Sequence, residues 1–110
     1  MKNPRTLPPR QNTPREAVIW IDDHRAVIIE ARHGGRDHVE VLDRRPTETS
    51  PGFEARTIDR LVERDLVIVS GPASARTDFE RSYVAMTHRP DRLFDVAIDA
   101  YAFRRGRFAA

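Results

Sequence analysis

The stretch "VIWIDDHRAVIIEARHGGRDHVEVL", Val18 to Leu42, decides how this chain folds. From Ala17 the run "AVIWI" is apolar on both faces, the pattern of a central strand. Asp22-Asp23-His24 interrupts it as a polar turn, and "RAVIIEA" follows as a second, mostly apolar strand, so the two predict a central hairpin. "HGGRD" then offers two glycines able to take positive φ. "HVEVLD" alternates, which directs Val39 and Val41 inward and His38 and Glu40 outward, as on an exposed edge strand. The stretch reads as a three-stranded antiparallel meander.

Downstream, "RRPTETSPG" is loop, with Ser50 as helix N-cap and Pro51 at the first helical position. The helix runs to about Arg64. Ile58, Leu61 and Val62 make its apolar stripe with Phe53 a turn earlier, and Glu54, Arg56, Asp59, Arg60 and Glu63 lie on the wet side. "LVIVS" is a short buried strand closed by Gly71-Pro72. A second helix starts after Ser74 and ends near His88 ahead of Pro90, with Ala75, Phe79, Tyr83 and Met86 facing the sheet. "LFDVAID" alternates Phe94, Val96 and Ile98 with Asp95, Ala97 and Asp99, a second edge strand. The order is βββαβαβ. Central apolar strands, alternating strands outside and right-handed crossovers predict a mixed five-stranded sheet of order 3-2-1-4-5, the ribonuclease-H-like α/β topology.

Length and charge set the limits on function. A chain of 110 residues holds one core, and 39% hydrophobic residues are enough to form it. The absence of cysteine excludes disulfides and Cys-type zinc sites, and no apolar run reaches the roughly 18 residues of a membrane span. With no signal-peptide pattern either, the expected setting is cytoplasmic. Charge is divided unevenly. Residues 1–15 carry Lys2, Arg5, Arg10 and Arg15 and no acid, residues 104–110 carry Arg104, Arg105 and Arg107, and the body between holds 12 basic and 17 acidic residues. The expected organisation is a basic, proline-rich tail over 1–15 without fixed structure, one α/β domain over 16–103, and a basic tail over 104–110. Such tails suit RNA or a ribosome through counterion release, or simply solubilise the chain. Tyr101, Phe103 and Phe108 either stack on bases or pack, and packing is the first expectation.

Two segments resemble a known family. "AVIWIDDHRAVIIEA" and "GFEARTIDRLVERDLVIVSGPASARTDFERSYV" are similar to the middle domain of the archaeal and eukaryotic peptide-chain release factor and Pelota superfamily. The resemblance is greatest to small bacterial relatives known as translational machinery proteins. The matching positions are Val18, Trp20, Ile21, Asp22, His24, Arg25 and Ala26, then Val67 to Gly71 and Pro72, with Ala75 and Arg76 standing where the family has Ala-Lys; the likeness covers roughly residues 17 to 90. The His-rich loop and the late Asp-His-Pro-Thr-Asp run of those relatives are not matched. The resemblance implies a translation-associated protein with ribosome or RNA as partner, and it directs attention to "HGGRD". Hydrolytic members use Gly-Gly-Gln to position water at an ester; here Arg36 stands where Gln would be required, and a guanidinium donates hydrogen bonds but accepts none.

The expected function is therefore non-catalytic binding, with no cofactor and no metal. The candidate RNA or ribosome contacts are Arg5, Arg10, Arg15, Arg36, Arg76, Arg104, Arg105 and Arg107. Gly71 to Ser74, at a helix start with Arg76 one turn in, has the makings of an anion cradle but reads first as a plain strand-to-helix turn. The alternative is an enzyme. A divergent hydrolase would use the His33 to Asp37 loop, and a metal-dependent nuclease would use Asp22 with Glu54 or Asp59, although Ser70 and Gly71 occupy the strand position where a third acid is needed. His24, His33 and His38 read as turn residues. The edge strands at His38 to Asp43 and Phe94 to Asp99 are candidate contacts for a protein partner.

Overall fold

The computed structural model describes residues 15–31 and 36–97. Residues 1–14 with Arg5 and Arg10, residues 32–35 with His33, and residues 98–110 with Asp99, Arg104, Arg105 and Arg107 lie outside the described residues. The meander forms as the sequence predicts: β1 (Glu16–Ile21), β2 (Arg25–Ala31) and β3 (Asp37–Asp43) pair antiparallel. Helix α1 (Ser50–Asp59), β4 (Leu66–Ser70), α2 (Ala73–Thr87), a 3-10 turn at Pro90–Arg92 and β5 (Leu93–Asp95) follow. Strand β4 lies parallel to β1, and β5 parallel to β4, so the sheet order is β3-β2-β1-β4-β5. The topology is the expected mixed five-stranded α/β one, with the two helices packed on the sheet.

The core lies between the helices and one face of the sheet. Ala17, Ile19 and Ile21 of β1, Ala26 and Ile28 of β2, Leu42 of β3, and Val67 and Val69 of β4 meet Phe53, Ile58 and Leu61 from α1 or its C-terminal turn and Phe79 and Tyr83 from α2. The Phe79 and Tyr83 rings sit 6.2 Å apart and are fully buried. Truncating either to alanine would remove about 3–5 kcal/mol. Three carboxylates also face this side, and each meets an arginine. Glu30 pairs with Arg64 at 2.9 Å, Glu40 with Arg60 at 2.8 Å, and buried Asp95 with Arg76. The charges on the inner face are thus neutralised from the helix layer.

Several expectations are corrected. The registers Ile28↔Glu40 and Ala26↔Leu42 put Glu40 and Leu42 of β3 on the helix side, so Val39 and Val41 point to the other face and are exposed. Strand β5 has the same reversal. Asp95 is buried while Phe94 is exposed, and the strand stops at Asp95, with Val96 and Ala97 helical. Helix α1 is capped by Thr49, whose hydroxyl accepts the Gly52 N–H at 3.1 Å, which shifts the cap one residue from Ser50. It also ends at Asp59. The following N–H groups of Arg60 and Leu61 donate to carbonyls three residues back, which tightens the chain and swings Val62 out to solvent. Glu54 is buried, and its carboxylate accepts from the Ser82 hydroxyl at 2.6 Å. Met86 is exposed. Helix α2 ends at His88, which takes the left-handed conformation at φ 58° and donates its N–H to Val84 O.

Candidate functional site

The resembling motifs converge on one corner of the sheet, where the carboxyl ends of the parallel strands β1 and β4 lie side by side. Open α/β sheets place ligands at such ends because loops, not helices, close them. Asp22 begins the turn out of β1. Its carboxylate accepts the backbone N–H groups of His24 and Arg25, both at 2.8 Å, and the His24 bond is the main reason its pKa is lowered below the usual aspartate value. Arg25 donates to Asp43 at 2.7 Å, tying the turn to β3. His24 is exposed, and its carbonyl accepts the Arg44 N–H at 2.8 Å.

The loop from β3 to α1 braces this turn. Arg44 donates through Nε to Glu48 O and through Nη1 to Asp23 O. Glu48 receives Arg56 Nε and Nη2, each at 2.9 Å, and the Arg45 backbone N–H at 3.0 Å. Arg56, which also covers the Phe53 ring, holds the Glu48 carboxyl down to about 2 from an ordinary value of 4.5. Because the folded value lies below the unfolded one, this stabilisation is complete above about pH 4.5 and is lost as pH falls towards 2. Thermal melts between pH 6 and 2.5 should show that loss, and Glu48→Gln should flatten the dependence; an unchanged profile in the variant would contradict the bond pattern.

On the β4 side the corner is closed by Gly71, which has φ 122° and lies against the Ile21 carbonyl. Pro72 is the N-cap position of α2 and supplies no side-chain cap. Arg76 does not reach outward from this helix start. It is 9% exposed, donates through Nε to Gly71 O at 2.9 Å, and gives Nη1 to both oxygens of Asp95 at 2.5 and 2.6 Å. That corrects its assignment as an RNA contact and removes the cation from the anion-cradle reading: a guanidinium already neutralised and buried has little left for phosphate.

Between the N-terminal half of α1 and the middle and C-terminal part of α2 runs an open groove of about 320 Å³, lined by Ser50, Glu54, Asp78, Arg81, Ser82 and Ala85 among others. A small recess beside Asp22, Asp23 and Arg44 joins it through Ser50, Glu54 and Asp78. Asp22, Asp23, Glu54 and Asp78 all line this recess. Asp22 is committed to its turn, Glu54 to Ser82, and Asp59 closes α1 at the end away from the corner. Among the described residues no three of His, Asp and Glu come together as metal ligands. The corner orders the chain and presents polar surface.

The other residues singled out in the sequence are scattered. Arg15 is exposed near Glu63 and Asp65, at 3.8 and 3.9 Å, and Arg36 is exposed at the start of β3. Trp20 borders the corner, where its side chain helps to lower the Asp22 pKa. It stands on the sheet face opposite the helices, 47% exposed. On that face the registers align Val39, Ile29, Val18, Ile68 and Phe94 in one row across all five strands, and Val41, Val27 and Trp20 in a second. Reading the strands one by one does not anticipate this broad apolar surface, although the doubly apolar runs of β1 and β2 are its signature in the sequence.

Fold and corner together define an α/β domain of ribonuclease-H-like strand order. The fold is Pelota-like: the crystal structure of Pelota from Archaeoglobus fulgidus superposes with a TM-score of 0.55 at 22% identity, over 76% of this chain. This chain spans only about a quarter of that one, 26% of its length. No protein-family model matches the sequence, and no curated protein matches it. Among the described residues no helix is long and apolar enough to cross a membrane.

Proposed function

We propose that the protein is a translation-associated binding module that contacts the ribosome or its RNA and carries out no hydrolysis. The observation that carries this reading is a coincidence of two kinds of likeness. The segments resembling the release-factor and Pelota superfamily fall on β1, the hairpin turn, β4 and Gly71-Pro72, and the chain has a Pelota-like fold. In this reading the domain is a counterpart of that superfamily's middle domain and works in the cytoplasm. Arg36 replaces the glutamine that hydrolysis would require. Contact with nucleic acid comes from Arg5, Arg10 and Arg36, from Arg15 beside its acidic neighbours, and from Arg104, Arg105 and Arg107.

Co-sedimentation with ribosomes across a salt series tests the proposal. Binding that persists well above physiological salt is expected, because a shaped surface adds to the charge contribution. Replacing Arg5, Arg10 and Arg36 with alanine should lower the slope of log K against log salt by about 2, since each phosphate left without its arginine accounts for about 0.7. Failure to sediment with ribosomes even at low salt would sink the reading. Complete loss at modest salt would reduce it to non-specific attraction by the tails.

A further inference from the structure

The sheet face opposite the helices is too apolar to be an ordinary wet surface. Val18, Trp20, Ile29, Val39, Val41 and Phe94 are all more than a third exposed and adjoin one another in the two cross-strand rows. A contiguous patch of this kind marks a surface with an occupant.

We propose that the occupant is this chain's own segment 98–108, "IDAYAFRRGRF", lying across the sheet from β5 towards β3. Continuity is the first argument. Phe94 ends the long apolar row at the β5 edge, and immediately beyond it Val96 and Ala97 are helical, with the Asp95 carboxylate accepting the Ala97 N–H at 3.0 Å as an N-cap does. Composition is the second. From Val96 to Phe103 the only charged residue is Asp99, and Ile98, Tyr101 and Phe103 supply apolar bulk of the kind that would cover the face. Length is the third: residues 96–108 as a helix would span about 20 Å, and five strands span about 19 Å.

Trp20 is the only tryptophan and stands in the middle of the face, so its fluorescence reports the cover. In the full chain acrylamide should quench it several-fold less than free indole. The double variant Tyr101→Asp/Phe103→Asp should raise quenching several-fold and shift emission to the red. Should that variant fail to fold, the unmodified chain still decides by NMR: ring protons of Tyr101 or Phe103 should show nuclear Overhauser contacts to methyls of Val18, Ile29 or Val41 in the monomer. Indole-like quenching with no such contacts overturns the proposal. So does protection that appears only as concentration and molecular mass rise together, which would make a second copy the occupant, and so does protection that requires an added protein.

Discussion

Gly71→Ala is expected to lower stability by at least about 3 kcal/mol, or to prevent folding outright. Two costs combine. The backbone at φ 122° lies where residues with a side chain are strained, and an added Cβ would sit 2.1 Å from the carbonyl oxygen of Ile21. The obstacle is backbone at the end of the central strand, so no rotamer change relieves it, and moving it would disturb the β1–β4 pairing through Trp20↔Ser70. Urea unfolding of Gly71→Ala beside Pro72→Ala makes the comparison, with the proline variant expected within about 1 kcal/mol of the parent. Equal stability of Gly71→Ala and parent would show that the close approach of β4's end to Ile21 is not present.

Arg76→Ala is expected to cost about 3–5 kcal/mol, because it takes the guanidinium away from the Asp95 carboxylate buried in the α2–β5 interface. The pair joins residues nineteen positions apart and holds the edge strand to the helix layer, where β5 contributes only three residues. Replacing both partners, Arg76→Met with Asp95→Leu, should recover much of the loss, since apolar groups of similar volume avoid the desolvation cost of either charge. Recovery would be incomplete, because Arg76 also binds Gly71 O and Asp95 also caps Ala97. Denaturant midpoints of the two single variants and the double variant form the cycle. Additive losses would show that the two side chains are not coupled.

Neither residue announces its role in the sequence. Gly71 is legible as the end of a strand and as a motif position, yet the need for glycine arises from Ile21, fifty residues earlier in the chain. Arg76 reads as a candidate RNA contact one turn into a helix, although the helix start itself reads first as a plain strand-to-helix turn. Asp95 reads as the wet side of an alternating strand. Each reading is locally sound and fails because a partner from another element changes the cost of burial.

What the sequence determined by itself is the order and type of the elements and the strand order of the sheet. Uniformly apolar runs at Ala17 to Ile21 and Leu66 to Val69, punctuated by Asp22-Asp23-His24 and Gly71-Pro72, leave few other arrangements. What only the tertiary structure decided is which face of each edge strand turns inward. A period-two pattern is unchanged when the two faces are exchanged, so "HVEVL" and "LFDV" are equally compatible with either side. The choice was made by the helix layer. Arg60, Arg64 and Arg76 carry positive charge onto one side of the sheet, which allows Glu40, Glu30 and Asp95 to face it and sends Val39, Val41 and Phe94 to the other.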